Sequence, residues 1–216
     1  MTRVRRTPEQ AQQWYDTLSP WYGVLAAPFE RPYREQGLEL LDPKAGERIA
    51  DVGSGTGSAL VPIARAVGET GTVVGLDISR GMCAVAQENV ESSPVSTRID
   101  VVWGNALSLP FRSGSFDAIF TSFTLELFDT PDIPVVLEEC TRVLRSGGRL
   151  CVVSLSKRET GHVTRVYERV HLTVPQYVDC RPIYVQQLLA DAGFDVEAVQ
   201  EARMWGLPLE LVLATV

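Results

Sequence analysis

At 216 residues and a formal net charge of −7, the chain has the length of one domain that can bury a full core without disulfides or metals. The acidic balance excludes a nucleic-acid groove as the main surface, because phosphate binding depends on clustered Lys and Arg. The four cysteines, Cys83, Cys140, Cys151 and Cys180, form neither a C-x-x-C pair nor a short secreted framework, and read as reduced, mostly buried thiols.

The chain opens on its only basic cluster, Arg3, Arg5 and Arg6, which is either a solvated tail or a contact for an anionic membrane surface. With no charged-then-apolar leader and no apolar run of membrane-span length, the cytoplasm is the expected location. Peripheral membrane contact and a homodimer stay open. Thr7-Pro8-Glu9-Gln10 has the form of a helix start, with Thr7 as N-cap, Pro8 at the first helical position and Gln10 completing a capping box. That helix is expected to end near Leu18. An aromatic stretch through Trp14, Tyr15, Trp21 and Tyr22 serves either packing or a lid. A second helix is expected from after Pro28 to Leu41, stopped by Asp42-Pro43.

From Ile49 onward strands and helices alternate. Strands are expected at Ile49 to Val52, Thr72 to Leu76, Ile99 to Trp103, Ala118 to Thr121 and Leu150 to Ser154. Helices are expected at Ala59 to Val67, at Ser79 to Val90 with Ser79 as N-cap, and at Ile133 to Leu144, closed by Ser146-Gly147-Gly148. Mostly apolar strands alternating with helices predict a doubly wound parallel sheet covered on both faces. A last helix from Pro182 to Ala192, ending at Gly193, precedes two strand-like runs, Phe194 to Val199 and Leu209 to Ala214. Joined without a helix, these two must pair antiparallel.

Asp51-Val52-Gly53-Ser54-Gly55-Thr56-Gly57 follows the first strand and opens a helix. Glycines there admit positive φ and remove Cβ atoms from the approach of a ligand to bare backbone. Ser58 occupies the position at which a dinucleotide fingerprint wants a third small contact, and the third glycine comes one residue early, at Gly57. Asp77 ends the second strand at the crevice of an open α/β sheet. It suits either a bidentate hold on two ribose hydroxyls or a cap for the next helix. Asn105, after the third strand, reads either as a base-recognising amide or as a turn residue.

The Gly-x-Gly-x-Gly spacing with Asp51 ahead of it resembles the first motif of class I S-adenosylmethionine-dependent methyltransferases. Gly104-Asn105-Ala106-Leu107-Ser108-Leu109-Pro110-Phe111 is similar to that family's adenine-binding segment, with Asn105 where Asp is common, and Phe116-Asp117-Ala118-Ile119 to its fourth-strand opening. These motifs cover roughly residues 45 to 155. Within the family, Val67 to Val74, Leu109-Pro110-Phe111, Arg142 to Leu150 and Ser154 to Lys157 resemble the ubiquinone/menaquinone-biosynthesis C-methyltransferases, and Tyr15-Asp16 with Tyr22 fits that group's lid helix more loosely. The resemblance implies a Rossmann-like, seven-stranded, mostly parallel sheet with an antiparallel C-terminal hairpin, and S-adenosyl-L-methionine as cofactor. It implies cofactor contacts from Asp51 (at the aminoacyl end), Gly53, Ser54, Gly55, Gly57, Asp77, Ile78, Met82, Asn105, Ala106, Ser122 and Phe123. The expected layout is one domain: a helical lid at 1–44, a cofactor core at 45–155, an acceptor-side insert and helix at 156–193, and the hairpin at 194–216.

One departure bears on the methyl acceptor. Where the quinone group has Phe-Gly-Leu-Arg-Asn after the fourth strand, this chain has Phe123-Thr124-Leu125-Glu126-Leu127, which exchanges a fixed cation for a carboxylate. Glu126 is the first catalytic candidate, as a general base on a phenolic or enolic acceptor if burial raises its pKa; it is otherwise an exposed helix-start carboxylate or a partner of Arg181. Tyr22 is the second. The histidines His162 and His171 lack metal spacing, and no metal is expected. Tyr177, Asp179, Cys180 and Arg181 fall where acceptor specificity would be set. The expected activity is methyl transfer to a small hydrophobic or aromatic acceptor. The rivals are N-methylation of a lipid head group or natural-product amine, a nicotinamide-dependent reductase, and an inert cofactor-binding regulator.

Overall fold

A computed structural model describes residues 7–25, 27–158 and 180–216, together with the backbone but not the side chains of Pro8, residues 20–25 and Ala27. His162, His171, Tyr177 and Asp179 lie outside the described residues, as does the Tyr22 side chain.

The chain begins with α1 (Pro8–Leu25) and α2 (Ala27–Leu41). The capping box forms as the spacing predicts: Thr7 N–H donates to Gln10 Oε1 at 3.0 Å and Gln10 N–H donates to Thr7 Oγ1 at 3.4 Å. The helix does not stop at Leu18, although Pro20 has no N–H for the carbonyl of Asp16. The hydroxyl of Ser19 takes that place, donating to Asp16 O at 3.0 Å.

The alternating core follows as β1 (Arg48–Val52), α3 (Leu60–Ala66), β2 (Thr72–Asp77), α4 (Arg80–Glu91), β3 (Ile99–Trp103), β4 (Phe116–Ser122), α5 (Asp132–Val143), β5 (Leu144–Leu155), α6 (Val185–Asp191), β6 (Asp195–Met204) and β7 (Leu207–Thr215). Ser79 caps α4 as expected, its hydroxyl accepting from Met82 N–H. The sheet has seven strands in the order β3-β2-β1-β4-β5-β7-β6. All neighbours are parallel except β5–β7 and β6–β7, so the expected doubly wound sheet with its antiparallel hairpin is what forms. Apolar side chains of α2, α3 and α4 meet one face; those of α5 and α6 meet the other.

Three further boundaries depart from the sequence expectation. Ser146-Gly147-Gly148 does not end α5 in a separate turn; it bulges out within β5, between the pairs Phe116↔Leu144 and Ala118↔Arg149, and Gly147 N–H donates to Val216 O at 2.9 Å. Pro182 and Ile183 precede the last helix as extended backbone, with Ile183 bridging Ser156. The hairpin strands continue through the expected loop to a two-residue turn, Trp205-Gly206. Both turn residues have positive φ (53° and 82°), the conformation that matches strand twist in a tight hairpin.

α2 runs antiparallel to the strands it covers. Its C-terminal end is fixed where Arg149, just past the bulge in β5, donates from Nε to Leu41 O at 3.3 Å and from Nη2 to both oxygens of Glu47 at 2.9 Å. One helical turn earlier Gly37 lies flat on the sheet, where an added Cβ would overlap Val153 and press on Phe120. Tyr33 then reaches the hairpin, its hydroxyl donating to Arg203 O at 2.6 Å. The N-terminal half of α2 therefore roofs the carboxyl ends of the strands. Gly37→Ala should gain about 1 kcal/mol of helix propensity and lose more to overlap, for a net destabilisation of about 1–2 kcal/mol in chemical denaturation. A stabilised variant would show that α2 does not depend on this contact.

Candidate functional site

In an open α/β sheet the ligand crevice lies beyond the carboxyl ends of the strands where strand order reverses, here between β1 and its neighbours β2 and β4. The glycine loop leaves β1 at this point. Gly53 and Ser54 N–H both donate to Leu76 O, at 2.8 and 3.0 Å, which ties the loop to β2. The three glycines do different work. Gly53, at φ 76°, lies under the side chain of Thr124, which would overlap an added Cβ. Gly57, also at φ 76°, would place a Cβ 3.0 Å from Ala86 of α4. Gly55, at φ 53°, would point its Cβ into space with nothing within 4 Å. Only Gly55 keeps backbone bare toward the crevice; the other two are needed for packing.

Asp77 at the end of β2 holds the two loops that border the crevice. Its Oδ2 accepts from Gly55 N–H at 2.8 Å and its Oδ1 from Ser79 N–H at 2.9 Å. Burial pushes its pKa up, and the hydrogen bonds from Ser79 and Gly55 oppose that rise. The helix cap itself is Ser79, so Asp77 binds the turn before α4 and keeps further lone pairs for a ligand. Beside it stands Asp16 of α1, whose Oδ1 accepts from Ser79 Oγ at 2.6 Å and Gly81 N–H at 2.9 Å. Burial works against the charge of Asp16, but these bonds outweigh it and hold the carboxyl below its ordinary value. α1 is thereby fastened to the N-terminus of α4.

Past β3, Asn105 folds back on its own loop: Oδ1 accepts from Leu107 N–H at 3.0 Å, which leaves its amide N–H groups for another partner. Leu109-Pro110-Phe111 is clamped from α5. Glu139 accepts from Leu109 N–H at 2.6 Å, and Arg142 donates to the carbonyls of Phe111 and Leu109 at 2.8 and 3.0 Å. The motif shapes the loop from behind. Ile78 and Ser122 border the crevice half-buried, whereas Met82, Ala106 and Phe123 are buried in the protein. Phe123 has φ 54° and its ring joins the core on the α2 side, so its backbone is the part that can face a ligand. The buried Ser54 hydroxyl is turned over Gly75 of β2, under the loop.

Asp51 and Glu126 are the carboxylates of the crevice that each keep a buried oxygen without a partner. Asp51 is 2 % exposed, Oδ1 has no hydrogen-bond partner, and burial raises its pKa to about 7 against the opposing field of Arg34. Glu126, after β4, is fully buried. Its Oε1 accepts from Leu155 N–H at 3.3 Å, Oε2 has no partner, and burial lifts its pKa to about 7. This corrects the reading of Glu126 as an exposed helix-start carboxylate. It is also not the partner of Arg181, whose Nη2 donates to Phe128 O at 2.6 Å. Sequence reasoning missed Glu30 and Arg34 of α2. Arg34 Nη2 meets Glu30 Oε2 at 3.1 Å with side chains only 11 % and 12 % exposed. On sequence alone an i,i+4 Glu–Arg pair looks like solvent-facing helix surface. Among the described residues no cluster of His, Cys, Asp and Glu could hold a metal, and no helix is long and apolar enough to cross a membrane.

A buried Glu whose pKa rises from 4.5 to about 7 costs stability once the unfolded chain has ionised and the folded one has not. The penalty is absent below the unfolded value, grows between about pH 4.5 and 7, and is complete above it, at about 3 kcal/mol. Glu126→Gln should therefore match the wild type in denaturation near pH 4.5 and exceed it at pH 8. Equal stability at both pH values would place the carboxylate in contact with water.

The model of the ubiE/COQ5 methyltransferase family matches residues 2–178. Demethylmenaquinone methyltransferases of Bacillus cereus are 33% identical over 155 residues, 72% of this chain and 63% of the relatives' length, so the match spans less than two thirds of those proteins. Among solved structures, the [4+2]-cyclase SpnF has a TM-score of 0.77 at 19% identity, covering 100% of this chain and 98% of that one. A SAM-dependent methyltransferase from Aquifex aeolicus has a TM-score of 0.67 at 22% identity, covering 98% and 100%. At such identities these structures establish the shared fold and nothing further.

Proposed function

The chain belongs to the ubiE/COQ5 methyltransferase family, and on that premise we propose that it transfers a methyl group from S-adenosylmethionine to a small hydrophobic or aromatic acceptor of the quinol or phenol kind. The observation that carries this reading is the cradle around Gly55: bare backbone with open space beside it, between the buried carboxylate of Asp51 and the half-buried one of Asp77. The residues present fit the cofactor. Asp77 would take the ribose hydroxyls, Ile78, Asn105 and Ala106 would surround the base, and Asp51 with the glycine loop would take the aminoacyl end. When bound, the cofactor supplies a methyl group already activated on a sulfonium.

Such a transfer asks of the protein in-line positioning, exclusion of water and, for a hydroxyl-bearing or enolic acceptor, a place for one proton. Glu126 is suited to that last task. Its buried carboxyl ionises near neutrality, and Oε2 has a lone pair with no partner in the protein. It would accept the acceptor's proton as the new bond to carbon forms. The N-terminal helices would close the site as a lid, with Asp16 fastening α1 beside Asp77. The expected layout of lid, core, insert and hairpin within one domain belongs to this same reading, as does a cytoplasmic enzyme with no nucleic-acid partner.

The carboxylates of the crevice favour a second reading, N-methylation of an amine. Glu126 and Glu30 would then stabilise a cationic acceptor by charge. Calorimetry with S-adenosylmethionine and NADH in parallel, followed by labelled-methyl transfer into a panel of quinols, phenols and amines, separates these readings from each other and from a reductase. Binding of NADH alone, or of neither, would remove the methyltransferase reading.

Two variants sharpen the test. Asp77→Ala should weaken binding of S-adenosylhomocysteine by about 1.5–3 kcal/mol, the range for hydrogen bonds to a charged group; unchanged affinity would take Asp77 out of the site. Glu126→Gln should keep cofactor affinity and lower turnover by about 10²–10⁴-fold. Wild-type activity should rise with pH as Glu126 ionises near 7, and the variant's profile should lose that limb. A loss confined to KM would make Glu126 an orienting residue, as the amine reading requires.

A further inference from the structure

Arg34 lowers the pKa of Asp51 by its positive charge, and it arrives from an element outside the glycine-loop core. α2 places it there by geometry. Gly37 lies on Val153 and Phe120 over the middle of the sheet, and Arg34, three residues earlier on the same helix face, lies one turn closer to the carboxyl ends of the strands. The Arg34 side chain is 11 % exposed. Nη2 is engaged by Glu30, and the remaining N–H donors of the fork form no other hydrogen bond among the described residues.

Asp51 and Arg34 are of opposite charge and influence each other, yet the ion pair that Arg34 forms is with Glu30 and not with Asp51. Of the two, Asp51 is the one left with a fully buried, unpartnered atom, which is costly unless something meets it. Asp51 Oδ1 offers an unused acceptor. Arg34 offers unused donors in a planar fork that suits a carboxylate. The complement of that pair is an α-amino acid zwitterion: its ammonium toward Asp51, its carboxylate toward Arg34.

Building on the cofactor reading above, we propose that Arg34 of α2 is the residue that recognises the carboxylate of the aminoacyl arm, with Glu30 holding the guanidinium in place and Asp51 taking the ammonium. Recognition of the arm is then shared between the glycine-loop core and the N-terminal helices. A ligand lacking the arm engages only the core. A ligand carrying it also fastens α2 across the crevice.

The test is calorimetry of the full chain with three probes: S-adenosylhomocysteine, decarboxylated S-adenosylmethionine, which keeps the amine and lacks the carboxylate, and 5′-methylthioadenosine, which lacks the whole arm. Arg34→Met should weaken S-adenosylhomocysteine about 10–100-fold and leave the other two within about twofold. Arg34→Lys should recover part of the loss. Asp51→Asn should weaken both amine-bearing probes and spare 5′-methylthioadenosine. A parallel loss for all three probes in both Arg34 variants would make Arg34 a packing residue of α2, and an unchanged S-adenosylhomocysteine affinity would put the carboxylate elsewhere; either result overturns the proposal. Wild-type protein that binds none of the probes would instead overturn the cofactor reading on which it rests.

Discussion

The structure depends on one topological constraint. Parallel strands joined by right-handed crossovers can fill a sheet in only one direction at a time, so a chain that lays β2 and β3 on one side of β1 must jump back to lay β4 and β5 on the other. At that jump the loops after β1 and β4 leave toward opposite faces and a crevice opens between them. The base of the candidate site is placed by this reversal. Asp51 and the glycine loop leave β1, Asp77 ends the adjacent β2, and Thr124 and Glu126 follow β4. Thr124 closes the crevice floor directly, with Oγ1 donating to Gly53 O at 3.3 Å and its side chain pressed on the bare Gly53. The antiparallel β6–β7 hairpin completes the sheet beyond β5 and gives α2 its outer anchor at Arg203.

Much of the charge in the interior is structural, and its geometry distinguishes it from the charge in the crevice. Glu47 accepts from Arg149 with both oxygens, and Glu139 from Arg142 and Leu109 N–H. The pKa of Glu139 is held below its ordinary value by Arg142. In the crevice the pattern inverts. Asp51 and Glu126 each keep an oxygen with no partner, and burial drives both upward. Native interiors rarely leave buried oxygens unmet, and on the proposed reading a ligand meets these two; Glu210 of β7 also keeps an unpartnered buried oxygen.

The elements of the core were readable because each strand is a short apolar run and each helix starts on a recognisable residue. The Thr7 capping box and the Ser79 cap are of this kind. What could not be read depends on contacts distant in sequence. Leu18 looked like a helix end because Pro20 follows, and only the Ser19 hydroxyl, turned back to Asp16 O, shows how the helix continues. Glu126 looked equally like surface or site until the sheet placed it beneath Leu155. Gly53, Gly55 and Gly57 form one motif on paper, yet Thr124 and Ala86, 71 and 29 residues onward, divide their tasks. Arg34 was invisible for the same reason: nothing in its own helix says that Gly37 will bring that face down on the sheet. The Arg142 and Leu109-Pro110-Phe111 motifs were easily recognised, but what they share is a clamp between α5 and the loop after β3.

On the proposed reading, the buried state of Glu126 resolves an electrostatic difficulty. A carboxylate that stayed ionised beside a sulfonium would stabilise the positive charge before transfer more than in the transition state, where that charge is dispersing, and would raise the barrier. A distant or solvated carboxylate would be harmless but too far to take a proton. Burial at the end of β4, with one backbone donor and one open oxygen, yields a carboxyl whose ionisation is poised near neutrality. Such a group is partly ionised at neutral pH, and in its ionised form it can take the acceptor's proton. The exchange of a fixed cation for Glu126 thus changes more than the sign of the local field: it puts a group that titrates where the resembling quinone methyltransferases keep one that does not.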